Sequence, residues 1–453
     1  MPRLPLISHQ SLDAVVAWRH GVPIVVRQFL HEANQVAGQL PAGRHVLNLC
    51  SDRYRFAVSL AACVVSGRVS LLPSTHTPET VRQVQRVYPD VICITDHESG
   101  AVALPTFTYP AAFCEAVHAP EIPMIACDQV IAQVFTSGSS GLPVPHAKRW
   151  GSLVANARAE AGRLEVDARY AILGTVPAQH MYGLESTVLL AWQSGAALHA
   201  GHPFYPADIC DQLAELPRPR MLVTTPFHLR TVLADQTALP AADQLLSATA
   251  PLSSALALEA EARFAAPLHE IYGCTETGQI ASRRTAIDIE WQTLPQVTLA
   301  RNANGICAGG GHIDTPTVLG DVIEPIGEGP AWTRFLLHGR HSDLVNIAGK
   351  RTSLAYLNHQ LNAIPGVRDG VFLQPESNGI ETVMRLTALV VAPDLTPAAL
   401  TQALRERVDP IFLPRPLLFV DALPRNATGK LPRQVADALL ASLQNQPTDP
   451  VAT

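Results

Sequence analysis

The sequence predicts an α/β fold in which a large N-terminal domain, with sheets built from βαβ units, precedes a small C-terminal α/β domain. A chain of 453 residues with 47% hydrophobic and 16% charged side chains can bury a large core and exceeds one average domain. Short apolar strands alternate with helical stretches of about 10–15 residues, which is typical of parallel sheets. Near residues 338–353 the composition changes to a polar segment punctuated by glycine.

The strand and helix patterns of the N-terminal part follow one another in a regular order. HVLNLC and RVSLLP are predicted strands, and the helix between them, RYRFAVSLAACVVSG, closes on Gly67. Later strands are predicted in YAILGTVP, ALHAG and RMLVTTP, with a helix over TVLLAWQSGA. QVIAQVF is a further strand, followed by a Ser/Gly loop and then by the helix GSLVANARAEAGRL. Ligands of parallel sheets bind beyond the carboxyl ends of the strands, so this loop lies where a ligand is expected.

A domain boundary is predicted in the segment HGRHSDLVNIAGKRTS, which divides the chain into residues 1–340 and residues 341–453. Beyond it, the helices LAYLNHQLNAI and TPAALTQALRERV alternate with the strands GVFLQPE, LTALVVAP and PLLFVDALP. This pattern predicts a second, smaller α/β unit.

Charge and motif content exclude several classes of function. The net charge of −6, with basic residues scattered, argues against binding to nucleic acid or to an anionic membrane. The N-terminus MPRLPLISHQSLDAVVAWRHG lacks the apolar segment of a signal peptide, and no run of 18 apolar residues predicts membrane insertion. The eight cysteines form no C-x-x-C pair and the 17 histidines no H-E-x-x-H motif, so zinc is not expected. These features favour a cytoplasmic protein.

The segment TSGSSGLP (136–143) is rich in glycine and serine. Backbone N–H groups in such a turn can converge on an anion, and the hydroxyl groups add donors. The segment matches neither the Walker pattern G-x-x-x-x-G-K-[ST] nor the Rossmann pattern G-x-G-x-x-G. From the residues alone, a phosphate-binding loop and a plain surface turn both remain open.

The same segment resembles the phosphate-loop signature of the adenylate-forming superfamily, which includes acyl- and aryl-CoA ligases, adenylation domains of peptide synthetases, and luciferases. Four more segments resemble motifs of this superfamily in its own order: IYGCTETG (271–278), GDVIEPIGEG (320–329), GRHSDLVNIAGKR (339–351) and PRNATGK (424–430). The chain looks most like the small AMP-ligases of bacterial aryl-polyene or xanthomonadin-type pathways. The loop is therefore predicted to hold ATP phosphates.

The resemblance implies an AMP-forming acid–thiol ligase that uses ATP and Mg²⁺. Such an enzyme joins a carboxylate to the α-phosphate of ATP, releases pyrophosphate, and passes the acyl group to a thiol of CoA or of an acyl carrier protein. The implied ATP-binding residues are Thr136, Ser137, Gly138, Ser139, Ser140, Gly141, Lys148, Tyr272, Gly273, Asp321, Arg340 and Arg351.

Individual roles follow from the resemblance and suit the chemistry of the side chains. Tyr272 would stack on adenine, Thr275 would bond a phosphate oxygen, and Asp321 would bind the ribose hydroxyls. Glu276 would ligate Mg²⁺, because a carboxylate is a hard ligand for a hard cation. Relatives usually carry a lysine where Val144 stands, so Lys148 is either its substitute or a solvated residue at a helix start.

Lys430 is the predicted catalyst. A lysine after a Pro/Gly loop can neutralise charge that develops between the attacking carboxylate and the nucleotide. In relatives the small C-terminal domain is mobile: it rotates after adenylation, withdraws this lysine and opens a channel for the thiol. The hinge is predicted at Ser342 or Asp343, where relatives usually place an Asp or a Lys.

The acid-binding pocket is predicted from segments that form it in relatives, and its expected residues are His180, Tyr182, His228, Thr249, Ala250 and Cys274. No acidic residue lies between Ala178 and Leu184 to pair with an ammonium, so an α-amino acid is disfavoured. A mostly apolar pocket with two histidines and a tyrosine favours an aromatic, hydroxybenzoate-like acid, with a fatty acid as the close alternative. A catalytically weak adenylate-binding or scaffold protein is a second alternative, from another class, because Val144 and Ser342 depart from the family pattern.

Overall fold

The protein was analysed as a computed structural model that describes residues 2–73, 76–97, 104–114, 121–137, 143–235, 238–340, 344–347, 350–374, 385–426 and 429–444. Its strands are β1 Arg3–Pro5, β2 Val15–Arg19, β3 Val22–Val25, β4 His45–Asn48, β5 Val69–Leu72, β6 Ile92–Thr95, β7 Thr106–Thr108, β8 Met124–Ala126, β9 Val130–Ser137, β10 Pro143–Arg149, β11 Ala171–Gly174, β12 Ala197–His199, β13 Arg220–Thr224, β14 Gln244–Ser247, β15 Leu268–Cys274, β16 Gly278–Arg283, β17 Trp291–Thr293, β18 Thr298–Asn302, β19 Gly305–Gly310, β20 Ile313–Val318, β21 Asp321–Pro325, β22 Ala331–Trp332, β23 Arg334–Arg340, β24 Leu344–Ile347, β25 Lys350–Ser353, β26 Asp369–Leu373, β27 Thr387–Val391 and β28 Leu417–Phe419.

The α-helices are α1 Val26–Gln39, α2 Arg53–Val65, α3 Pro78–Val87, α4 Trp150–Leu164, α5 Met181–Gly183, α6 Leu190–Ser194, α7 Pro206–Glu215, α8 Pro226–Ala234, α9 Ser254–Phe264, α10 Leu354–Asn362, α11 Pro397–Arg405 and α12 Arg433–Gln444. A π-helical turn, Leu184–Leu189, joins α5 to α6. A short 3₁₀ turn lies at Pro410–Phe412.

A six-stranded sheet carries the Ser/Gly-rich segment, in the order β10-β9-β5-β4-β6-β7. All neighbouring strands in it run parallel except β9 and β10, which form an antiparallel hairpin. The predicted order of strand, loop and helix was wrong in this respect, because a second strand, β10, stands between the loop and α4. β10 was missed because PVPHAKR contains two prolines and two basic residues, and β10 is an edge strand, where prolines are tolerated.

An eleven-stranded mixed sheet, in the order β21-β23-β17-β16-β15-β14-β13-β11-β12-β2-β3, forms the second layer. From β2 to β15 its strands pair in parallel, and beyond β15 they pair antiparallel. Since parallel strands end at one edge, residues that follow β11, β13, β14 and β15 lie close together. This edge carries the site described below.

The core between these two sheets is built mainly from helices that are buried on nearly all sides. Eleven of the thirteen residues of α2 are buried, and its N-terminus is capped by Asp52, whose side chain accepts a hydrogen bond from the backbone N–H of Arg55. Trp150 at the start of α4 and Trp192 in α6 are also buried. The continuous apolar runs of the sequence thus mark fully buried elements.

Residues beyond 344 form their own sheets, β24-β25 and β26-β27-β28, and an apolar cluster of side chains from Val345 to Phe412. The predicted α/β class is confirmed, while the division at residue 340 stays a prediction. Within the described ranges, every helix is too short or too polar to cross a bilayer.

Candidate active site

A cavity of about 100 Å³ opens at the carboxyl edge of the parallel strands. Its walls come from the segment at α5, from the residues after β14, from the turn between β15 and β16, and from the C-terminal unit. The residues that line it are His180, Met181, Tyr182, Glu185, Ala248, Thr249, Ile271, Gly273, Cys274, Thr275, Gly278, Gln279 and Lys430. The fold therefore brings together predicted acid-binding residues and the predicted catalytic lysine.

The segment at α5 is held in place by its own polar groups. His180 caps α5, and its Nδ1 accepts a hydrogen bond from the backbone N–H of Tyr182 at 3.3 Å. The hydroxyl of Tyr182 lies 3.1 Å from both the Thr224 and the Leu246 carbonyl oxygens, so it donates to the backbone at the ends of β13 and β14. Burial lowers the pKa of His180 to about 4, and the charge of Lys430 adds to this effect. His180 is therefore a neutral imidazole at physiological pH.

The turn between β15 and β16 contains the predicted metal ligand and needs glycine at both ends. A Cβ on Gly273 would lie 2.3 Å from the carbonyl oxygen of Gly278, and Gly278 has a φ of +77°. Burial opposes ionisation of Glu276, but hydrogen bonds from its backbone N–H and from Cys274, with the charges of His146 and Lys148, outweigh it. The pKa of Glu276 is consequently below its usual range. The turn presents an ionised, partly exposed carboxylate.

Lys148 lies on β10 and is only 8% exposed. Its Nζ donates a hydrogen bond to the backbone carbonyl of Glu276 at 3.1 Å. Burial lowers the pKa of the ammonium group, and the nearby Glu185, Cys274, Glu276 and Asp314 act in the opposite direction. The alternative of a solvated lysine at a helix start is therefore wrong, while the phosphate-binding role stays a prediction.

The described residues next to Lys430 make polar contacts within the C-terminal unit. Arg425 forms two hydrogen bonds to Asp369, at 2.6 and 2.7 Å, and donates to the Gly429 carbonyl at 3.0 Å. The backbone N–H of Lys430 donates to Asn426 Oδ1 at 2.9 Å. A Cβ on Gly429 would lie 3.0 Å from Cβ of Phe227 in α8, so the loop packs closely on the large unit.

With this geometry in view, comparison with known proteins places the chain in a family. Residues 9–304 match the model of the AMP-binding enzyme family. The chain belongs to this family. It is 31% identical over 305 residues to a 4-coumarate–CoA ligase of Rhodobacter capsulatus, and the alignment covers 65% of this chain and 73% of that protein. These findings confirm the predicted superfamily and the predicted class of AMP-forming acid–thiol ligase.

Two further proteins match along nearly the whole chain. A fatty acid–[acyl-carrier-protein] ligase of Streptomyces coeruleorubidus is 25% identical over 481 aligned positions, covering 91% of each chain. The O-succinylbenzoate coenzyme A synthetase of Bacillus subtilis, solved with ATP and a magnesium ion, superimposes with a TM-score of 0.78 at 18% identity, covering 94% of this chain and 97% of that one. The likeness in structure extends into the C-terminal unit.

Two residues predicted to bind the nucleotide, Tyr272 and Asp321, are joined by a hydrogen bond of 2.7 Å from the phenol to Oδ2. The ring of Tyr272 is 9% exposed and packs against Trp291 and Phe335, with ring centroids 5.7 and 5.8 Å away. Asp321 also borders a second cavity, of about 420 Å³, together with Arg301. Stacking of Tyr272 on adenine stays a prediction.

Two predicted pocket residues do not line the described cavity. The His228 ring lies behind it, with Nδ1 3.0 Å from Thr225 Oγ1 and 3.1 Å from Thr175 Oγ1, and burial lowers its pKa to about 4. Ala250 follows Thr249 and is likewise not on the wall. Several predicted residues lie outside the described part of the chain, wholly or in their side chains: Thr136, Ser137, Gly138, Ser139, Ser140, Gly141, Arg340, Ser342, Asp343 and Arg351.

A buried polar cluster beside the cavity was not predicted from the sequence. Glu185 lines the cavity. It follows directly after the segment from Ala178 to Leu184, in which the absence of an acidic residue disfavoured an α-amino acid as the substrate. Glu160 in α4 is fully buried, and burial raises its pKa to about 7. The sequence signal was weak, because glutamate is common in helices and nothing in LVANARAEAGRL or GLESTVLLAW shows that Glu160 and Glu185 are buried.

Proposed function

We propose that the protein activates a small aryl acid as its acyl-adenylate and then transfers the acyl group to a thiol of CoA or of an acyl carrier protein. A carboxylate oxygen of the acid attacks the α-phosphorus of ATP, and pyrophosphate leaves. The thiol then attacks the acyl carbon, and AMP leaves. The observation that carries this proposal is a compact cavity lined at once by Lys430, Thr275 and a mixture of apolar and polar side chains.

The size of the cavity favours a ring over a long chain. An engineered apolar cavity of roughly 150 Å³ holds one benzene ring, and this one measures about 100 Å³. A benzoate therefore requires the lining side chains to move, and a straight fatty acyl chain requires a larger rearrangement. The 31% identity to a 4-coumarate–CoA ligase supports an aromatic substrate, while the fatty acid ligase among the relatives keeps the alternative open to test.

Lys430 supplies the positive charge for adenylation. Two anions must approach each other in this step, so a cation that acts on the developing charge lowers the barrier. Its position on a separate C-terminal unit, in contact with α8 through Gly429, is compatible with its withdrawal after adenylation. We include in this proposal a domain boundary at residue 340 and a hinge at Ser342 or Asp343, about which the C-terminal domain rotates.

The residues of the turn fit a magnesium ion bound together with ATP. Mg²⁺ usually takes one or two carboxylates and completes its shell with phosphates and water. Glu276 offers one ionised carboxylate. The described ranges contain no cluster of three or more His, Cys, Asp or Glu side chains that could hold a metal ion without ATP. When bound, the ion neutralises phosphate charge. Lys148, beside the same turn, replaces the lysine missing at Val144.

The remaining nucleotide contacts are proposed from the motifs. Asp321 binds the ribose with support from the phenol of Tyr272, and residues 136–141 with Arg340 and Arg351 bind the phosphates. The hydrogen bond between Tyr272 and Asp321 supports this arrangement, because it fixes the carboxylate beside the aromatic ring.

Acid-dependent ATP–pyrophosphate exchange tests the substrate class. We expect kcat/KM for 4-hydroxybenzoate to exceed that for octanoate and for phenylalanine, each by at least about tenfold. Higher activity with octanoate would overturn the aryl assignment in favour of a fatty acid ligase. Efficient exchange with phenylalanine would overturn it in favour of an amino acid adenylation enzyme, and no exchange with any acid in the panel would point to an adenylate-binding protein.

A further inference from the structure

One wall of the cavity is polar and deeply buried. Glu185 and Gln279 both line the cavity, and each is 3% exposed. Glu185 belongs to the π-helical turn Leu184–Leu189. Such turns are rare inside helices and frequently occur at functional sites. The local backbone is thus unusual where the carboxyl group meets the cavity.

Both side chains have hydrogen-bonding capacity that the protein leaves unused. Oε1 of Glu185 accepts a hydrogen bond from Asn156 Nδ2 at 2.5 Å, and among the described residues Oε2 has no partner. Nε2 of Gln279 donates to Ser186 Oγ at 2.9 Å, while its Oε1 is buried without a partner in the described part of the chain. An unpaired buried polar atom costs about 1–3 kcal/mol. Unused capacity on a cavity wall therefore points to a polar group on the ligand.

The space around Oε1 of Glu185 is kept open by glycine. A Cβ on Gly278 would lie 2.7 Å from Glu185 Oε1, and 3.3 Å from Asn156 Nδ2. The motif turn that carries Glu276 thus also leaves room for the carboxyl group of Glu185. The acid pocket and the nucleotide site share this turn.

The charge state of Glu185 limits which ligand group it can receive. Burial raises the pKa of Glu185 well above its usual range; Lys148 opposes this effect and Glu160 reinforces it. A neutral carboxyl group is a poor partner for an ammonium group, which needs an opposite charge when buried. A hydroxyl group both accepts and donates, so it can bond with a carboxyl group in either protonation state.

We propose that Glu185 is a specificity-determining residue that hydrogen-bonds a hydroxyl group on the ring of the aryl acid. The carboxylate of the acid must lie near Lys430 and Thr275, where adenylation occurs, and the ring then extends along the remaining walls of the same cavity, which include Glu185. This inference rests on the proposed aryl-acid activity and adds the substituent that the pocket selects.

The test compares hydroxybenzoates with shape-matched analogues. The unmodified enzyme is assayed by ATP–pyrophosphate exchange with 3- and 4-hydroxybenzoate and with the methylbenzoate of the same position. A methyl group fills similar space but leaves the polar wall unpaired. For at least one position we expect kcat/KM for the hydroxy acid to be higher by roughly 10- to 100-fold, which matches the cost of an unpaired buried group.

Variants assign this discrimination to Glu185. Glu185→Leu should reduce the ratio to within about threefold of one, because the polar partner is gone. Glu185→Gln keeps a donor and an acceptor and should retain most of the ratio. Glu32→Gln is the matched control: it alters a buried carboxyl group in α1 that does not line the cavity, and should leave the ratio unchanged. Thermal denaturation confirms that each variant is folded.

The outcomes separate this inference from the proposed function. Equal activity with hydroxy- and methylbenzoates in the unmodified enzyme would overturn the role of Glu185 and leave the aryl-acid proposal intact. A ratio that persists in folded Glu185→Leu would also overturn it. Octanoate turned over in preference to every benzoate would overturn both. If Glu185→Leu does not fold, Glu185→Met, which also lacks a hydrogen-bond donor, is assayed in its place, and a ratio that persists in it would overturn the inference.

Discussion

Glu160→Gln should stabilise the protein at alkaline pH and have little effect at acidic pH. The side chain is fully buried in α4, where Ser186 and Gln279 are its polar neighbours. Burial therefore raises its pKa from the ordinary 4.5 to about 7. In the folded protein the neutral acid is favoured, and ionising it is costly.

The sign and size of the effect follow from linkage. Between pH 4.5 and about 7 the unfolded chain loses the proton of Glu160 while the folded protein keeps it. The folded state then binds more protons, so its stability falls as the pH rises through this window. Below pH 4.5 both states are protonated, and above about 7 the full cost is present. The shift in the pKa of Glu160 corresponds to a loss of roughly 3 kcal/mol in the free energy of unfolding. Glutamine does not ionise, so the variant does not lose this stability.

Urea denaturation at pH 5 and pH 8 measures this effect. The gain in unfolding free energy of Glu160→Gln over the unmodified protein should be larger at pH 8 by about 2–3 kcal/mol. Glu259→Gln, on the exposed side of α9, is the control and should show the same small difference at both pH values. An equal gain for Glu160→Gln at pH 5 and pH 8 would refute the argument, because it would mean that Glu160 does not hold its proton in the folded state.

Three further predictions concern the site. Lys430→Ala should lower adenylation about 100- to 1000-fold in pyrophosphate exchange, while thioester formation from a synthetic acyl-adenylate survives better; Arg433→Ala, on α12, is the control. Glu276→Gln should raise the Mg²⁺ concentration needed for half-maximal activity, because an amide is a poorer ligand for a hard cation. Gly278→Ala should lower kcat/KM and the melting temperature together, since its Cβ would press on Glu185 Oε1 and its φ of +77° disfavours a side chain.

For each of these three predictions, one experimental result would contradict it. Adenylation by Lys430→Ala at the level of Arg433→Ala would make Lys430 an ordinary surface residue. An unchanged Mg²⁺ dependence would remove Glu276 from the metal site. Normal kinetics in Gly278→Ala would show that the turn and the Glu185 carboxyl group are not in close contact.

The α/β class, several of the individual strands and helices, and the family could be predicted from the sequence. The periodicity of apolar residues is a local property, so it indicates helices and strands without any knowledge of tertiary contacts. The superfamily motifs are also local strings, whose glycines meet backbone requirements such as the close approach of Gly273 to Gly278. Lys430 could be singled out for the same reason, because PRNATGK is recognisable in the chain itself.

The tertiary structure decided what surrounds these motifs. β10 looked like a polar loop because the sequence does not show that β9 lies beside it, and pairing between strands is non-local. Lys148 is buried only because β10 places it against the turn at Glu276, and Glu185 reaches the cavity only through the π-helical turn and the absence of a side chain at Gly278. The burial and charge of a side chain depend on segments that lie far away in the chain. The sequence by itself therefore identifies the motifs, while the tertiary structure determines which buried polar groups lie next to them.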